Sequence, residues 1–186
     1  MPTPKLREGL GSQRNQHARS LLVALDGRRV GDMFVEDRLE AFLASPARHR
    51  CLLLVDSDPV QLDLVAGQLT VQRAWERISM GRDLSSALMA VSSTARPRTA
   101  VQWVRRRLDP PGSTPRICSD IDILFEPSLE LDPLMLLRQS TQINGIVAMW
   151  PGSYGDDVLV YATPQHAHYR TWRRPGVGVL VLSEAG

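Results

Sequence analysis

The chain has 186 residues, 43% of them hydrophobic and 23% charged, with a formal net charge of +2. This composition suits one soluble globular domain. The longest apolar runs are too short to span a bilayer, and the small charge gives no reason by itself to expect a nucleic-acid partner. The stretch over 1–20, MPTPKLREGLGSQRNQHARS, has no apolar h-region, so a cytoplasmic protein without membrane association is expected.

Residues 1–20 lack apolar periodicity and read as a flexible N-terminal arm, followed by a single α/β domain over 21–186. SLLVAL at 20–25 is a short apolar run closed by Asp26 and Gly27, a turn signal, and reads as a strand or a helix end. EDRLEAFLA at 36–44 carries Leu39, Phe42 and Leu43 at helical spacing and predicts a short amphipathic helix. RCLLLV at 50–55 is continuous and apolar, as in a strand buried on both faces. Asp58 then suits a helix cap and Pro59 the first helical position, with Val60, Leu64, Val65 and Leu69 on one face. Strand, turn and helix in this order open a βα unit.

Residues 71–79 are ambiguous, with Trp75 and Ile78 suited to a short strand. LSSALMAV at 84–91 reads as a helix with Asp83 near its cap, and 92–98 as a loop. TAVQWVRRRL at 99–108 reads as a helix with Val101, Val104 and Leu108 inward. Arg105, Arg106 and Arg107 fall at its end, where the helix dipole favours cations. ICSDIDILF at 117–125 reads as a buried strand delivering Asp120 and Asp122 to a loop, and Asp132-Pro133 caps a helix to Gln139. Three more strands are expected, at 144–150 (closed by Pro151-Gly152), 157–162 and 178–183, with one helical turn at 165–169. The alternation predicts a three-layer α/β sandwich with a mostly parallel central sheet.

Cys51 and Cys118 each lie inside a strand-like run and read as reduced core residues. No set of four ligands has zinc spacing, so no metal is expected. Of the 22 basic residues all but Lys5 are arginines. Guanidinium forks suit carboxylates, phosphates and interfaces, but codon bias in a GC-rich genome yields the same excess. Arg105, Arg106 and Arg107 beside Trp103 are candidate phosphate contacts or a solvated helix end. Arg170, Trp172, Arg173 and Arg174 form a second basic-aromatic cluster, set in a loop by Pro175 and Gly176. Trp150 is a core or interface residue. His166 and His168 near Asp156 and Asp157 are either a polar site or a structural pin, and their spacing fits no standard metal motif.

A strand, a turn, a helix and a later acid-bearing strand form the skeleton of a P-loop NTPase. In a working member the turn is GxxxxGK[ST], whose amides and lysine hold phosphate. Here VDSDPVQ at 55–61 has no glycine and no lysine, and offers two carboxylates and a proline. Each change opposes phosphate binding, so Mg-ATP hydrolysis is not expected and no cofactor is called for.

Two blocks, DIDILFEPSLELDPLMLL and GIVAMWPGSYGDDVLVYATPQHAHYR, resemble the C-terminal half of the BrxF family. These are small P-loop proteins of BREX (bacteriophage exclusion) and related methylation-associated anti-phage systems. The matching positions in the first block are Ile121, Leu124, Phe125, Pro127, Ser128, Leu129, Asp132, Pro133, Leu134, Leu136 and Leu137. In the second they are Trp150, Pro151, Gly152, Tyr154, Leu159, Tyr161, Ala162, Pro164, His166 and Tyr169. The likeness is close over about 50 residues and looser back to Arg50. The family's strand carries L-D-N-I-E before L-F, whereas this chain has Ser119 for the first acid and keeps Asp122 at the later one. The resemblance implies a P-loop NTPase-like fold with degenerate Walker motifs.

The expectation is therefore a non-catalytic accessory subunit that binds other protein subunits of a defence system and contacts DNA, if at all, within the assembled complex. An alternative is a nucleotide-binding or partner-activated ATPase subunit using Ser57, Asp58, Asp120 and Asp122. A further alternative is a DNA-binding accessory protein using the arginine clusters.

Overall fold

A computed structural model describes residues 35–44, 50–108, 114–140 and 145–182. The expected arm and the apolar run at 20–25 lie outside the described residues. The chain divides into two compact units, Met1–Glu40 and Ala41–Gly186. A helix over 35–44, α1, crosses that boundary, close to the helix expected there. Among the described residues, all the strands lie in the second unit.

The apolar run becomes β1, Cys51–Asp56, buried at every position. It leads through a short turn into α2, Pro59–Arg73. β2 is Glu76–Ser79, followed by a π-helical turn, Met80–Leu84, that runs on into α3, Ser85–Leu88. A 3-10 turn, Ser93–Ala95, then precedes α4, Arg96–Leu108. β3 is Arg116–Ser119. Two 3-10 turns, Ile121–Phe125 and Pro127–Leu129, lead to α5, Pro133–Gln139. The remaining strands are β4 Ile146–Gly155, β5 Val158–Tyr161, β6 Arg170–Arg173 and β7 Gly178–Val181.

Five strands form the expected parallel sheet in the order β2-β3-β4-β1-β7. The far half of β4 leaves this sheet and pairs antiparallel with β5, which pairs antiparallel with β6. Strand alternation sorts the core. Cys51, Leu53, Val55, Ala148 and Trp150 belong to one buried cluster with Val104 and Leu108 of α4 and Leu136 and Leu137 of α5. Leu52, Leu54, Val147 and Met149 are buried toward the opposite face, where α2 packs with Leu62, Val65, Ala66 and Leu69. Both cysteines are free thiols in this interior, and burial pushes the Cys51 thiol up to about 12 and raises that of Cys118 too.

Several expectations are corrected. The inward face of α2 is turned relative to the expected one: Val60 and Leu64 are 65% and 55% exposed, and Leu62 and Ala66 take their places. The helix expected at 84–91 begins earlier, in the π-helical turn, and the loop expected at 92–98 is largely helical. The strand expected through Phe125 stops at Ser119, because Asp120 turns left-handed (φ 53°) and the chain winds into a 3-10 turn. Pro151-Gly152 does not close β4; the strand continues through them into a hairpin. Residues 165–169 form hydrogen-bonded turns and no helix. The cluster Arg170, Trp172, Arg173 lies on β6, a strand unforeseen in the sequence, and Arg174 follows it directly.

Candidate functional site

Parallel strands bring the carboxyl ends of β1, β3 and β4 to one edge of the sheet, where α/β proteins bind ligands. The turn after β1 is closed on itself. Asp56 is buried, and its Oδ1 accepts the Asp58 amide N–H at 2.8 Å. Asp58 Oδ1 in turn accepts the Val60 amide N–H at 2.9 Å, capping α2. Pro59 has no N–H to offer. In a phosphate loop the amides of such a turn face the anion; here the chain's own carboxylates take two of them.

The acids after β3 are drawn into separate networks. Asp120 Oδ2 accepts from Ser79 Oγ at 2.5 Å and from Ser119 Oγ at 3.3 Å. Ser119 Oγ accepts from Arg77 Nε at 3.0 Å, while Arg77 Nη2 pairs with Asp63 Oδ1 of α2 at 2.5 Å. This arginine could have faced a phosphate from the sheet, but it is held by α2. Gly81 passes so close to Asp120 that an added Cβ would stand 3.3 Å from Asp120 Cβ. Asp122 has a different partner: its Oδ1 accepts the Tyr161 hydroxyl at 2.6 Å. Asp56, Asp58, Asp120 and Asp122 thus share one edge of the sheet, with their carboxylates bound to different partners. Among the described residues no three His, Cys, Asp or Glu side chains are grouped to hold a metal ion.

Between the β1 turn and the β4–β5 hairpin lies a cleft of about 580 Å³, lined by Ser57, Pro59, Asp122, Gly152, Tyr161 and Tyr169 among others. A smaller cavity of about 70 Å³, lined by Arg77, Asp120 and Asp122, adjoins it. Tyr161, in the lining, packs into a buried aromatic cluster behind the cleft. Phe125 and Tyr161 stack at 3.3 Å between centroids, and Trp150 meets both edge-on. Burial, then the hydrogen bond and negative charge of Asp122, raise the Tyr161 phenol above its usual range. Tyr161 is therefore a fixed hydrogen-bond donor at neutral pH, not a base. Trp150 is fully buried, with Nε1 donating to the Val160 carbonyl at 2.9 Å, so it belongs to the core and not to an interface.

The first arginine cluster is largely engaged. Arg107 pairs with Glu76 at 2.5 Å, Arg105 donates to Gln139 Oε1 at 3.2 Å, and Arg106 is exposed. In the second, Arg170 donates to the Leu131 carbonyl at 3.0 Å, while Arg173 and Arg174 are exposed. His166 Nδ1 accepts the His168 amide, a local turn contact. Sequence reasoning missed Ser79, Arg77 and the hydrogen bond from Tyr161 to Asp122. Each is a contact across more than a dozen residues that no local pattern announces. No family model matches the chain, and no curated protein or solved structure matches it.

Proposed function

We propose that this chain is a non-catalytic interaction subunit of a bacterial anti-phage defence system of the BREX or methylation-associated kind. It is built on a P-loop-like fold whose phosphate loop has been closed. The observation that carries the loss of nucleotide chemistry is the turn at 56–60, where the Asp56 and Asp58 carboxylates accept amide N–H groups that a nucleotide would need. A phosphate entering there would displace two internal hydrogen bonds and meet two like charges. The placement of turn, α2 and the acid-bearing end of β3 at one sheet edge supports the P-loop-like reading. The two sequence blocks that resemble BrxF support the defence context.

Calorimetric titration with ATP and Mg²⁺ tests the loss of nucleotide binding. The expected result is no measurable heat up to millimolar nucleotide, and micromolar affinity would overturn it. Co-expression with the neighbouring genes tests the subunit role: stable co-purification is expected, and a lone monomer would count against it.

One observation favours a second reading, a nucleotide-binding or partner-activated ATPase subunit. The 580 Å³ cleft beside Asp122 falls within the range of small-molecule sites. In that case Asp122→Ala abolishes phosphate release by the assembled complex, and unchanged turnover would dismiss it.

A further inference from the structure

We propose that the outer edge of β6 receives an extended acidic segment of a partner protein as an added strand. This rests on the reading of the chain as an interaction subunit and names how one partner is held.

β6 hydrogen-bonds to β5 on one side only. Among the described residues nothing pairs its other edge, which leaves a row of backbone donors and acceptors open to a further strand. A groove of about 210 Å³ runs between the end of this strand and α5. Its lining includes Leu134, Met135 and Trp172, with Met135 47% exposed. Arg173 and Arg174 line the same groove, and among the described residues no carboxylate pairs with either. Asp132, the one acid in the lining, spends its Oδ1 on the Met135 amide as the cap of α5.

These three features select the occupant. The open backbone edge matches a peptide, which carries a complementary ladder, and not a nucleic acid. The arginines oppose a second copy laid edge to edge, since like charges across paired strands destabilise. They favour glutamate or aspartate on the incoming strand, with alternate apolar side chains reaching Met135 and Trp172.

The test is an amide-resonance titration of the whole chain with the blocked peptide Ac-Glu-Val-Glu-Val-Glu-Val-NH2. Saturable shifts at residues 171–173 are expected, weakening as salt is raised. A peptide with alternate N-methylated amides, and one with lysine for glutamate, are each expected to bind at least about tenfold more weakly. The double variant Arg173→Glu/Arg174→Glu, checked for an unchanged near-UV spectrum, is expected to lose a similar factor. Absence of saturable shifts, equal binding of the N-methylated peptide, or preference for an oligothymidylate would each overturn the proposal. None of these arms touches the turn at 56–60. Peptide failure with a co-purifying partner therefore sinks this inference alone, whereas a lone monomer on co-expression sinks the subunit reading.

Discussion

Gly152→Ala should break the hairpin that walls the cleft. A Cβ built on Gly152 stands 2.0 Å from the Val160 carbonyl oxygen and 3.0 Å from its carbon. Carbon and carbonyl oxygen approach to about 3.3 Å at closest, so β4 and β5 must separate by more than about 1 Å. Gly152 faces Tyr161 in the antiparallel register, and Val160 accepts the buried Trp150 indole N–H. Overpacking against backbone costs about 1–3 kcal/mol, and an indole N–H left without its acceptor costs a similar amount. A loss of about 3 kcal/mol follows, read by urea denaturation with tryptophan fluorescence. Gly155 provides an internal control on the same strand, because nothing lies within 4 Å of its added Cβ. Gly155→Ala should stay within about 0.5 kcal/mol of the parent. If the two variants unfold at the same urea concentration, the close approach at Gly152 does not constrain the hairpin and the reasoning fails.

Tyr161→Phe removes a hydroxyl donor to a carboxylate that is itself exposed, and should cost about 1 kcal/mol at neutral pH. The fold raises the Tyr161 pKa, so this contribution is full below the unfolded value of about 10. It is lost as pH rises through the folded value, and the stability gap between parent and variant should shrink in strong alkali; a gap that widens would refute the assignment. Asp58→Ala removes the α2 cap and should destabilise by about 1 kcal/mol. It should also leave the chain unable to bind ATP, since no lysine replaces the lost charge; tight nucleotide binding by this variant would show that the carboxylate alone had blocked the site. Cys51 and Cys118 should react with a thiol reagent only after denaturant is added, as their burial and raised pKa values require. Labelling at the rate of a free thiol in native buffer would contradict that burial.

The parts legible in the sequence were those where local chemistry and burial agree. The run over Cys51–Val55 is apolar on both faces because α2 covers one face of the sheet and α4 and α5 cover the other. Asp58-Pro59 and Asp132-Pro133 both cap helices as their types dictate. Misreadings arose where one pattern serves two structures. Ile121, Leu124 and Phe125 read as part of an apolar strand, yet the same residues bury themselves in a 3-10 turn once Asp120 has turned left-handed. Val60 and Leu64 fit a helical stripe as well as Leu62 and Ala66 do, and only the position of the sheet decides which pair faces inward. β6 was hidden because its burial alternates between partial and exposed, so arginines occupy positions where a strand pattern needs apolar residues. The four aspartates were legible as a group at one end of the sheet. Their separate partners were not, because Ser79 and Tyr161 come from other strands.

The position of β7 has a consequence for how the chain is made. β1 gains one neighbour from β4 and the other only from β7, near the end of the described residues. At ribosomal speeds of about 5–20 residues per second, β7 emerges on the order of ten seconds after β1. During that interval a strand that is apolar from Cys51 to Val55 has at least one bare edge. This is the condition under which nascent chains pair with one another. Low expression temperature or a holding chaperone should therefore raise soluble yield by covering this interval, without any change in the stability of the finished fold.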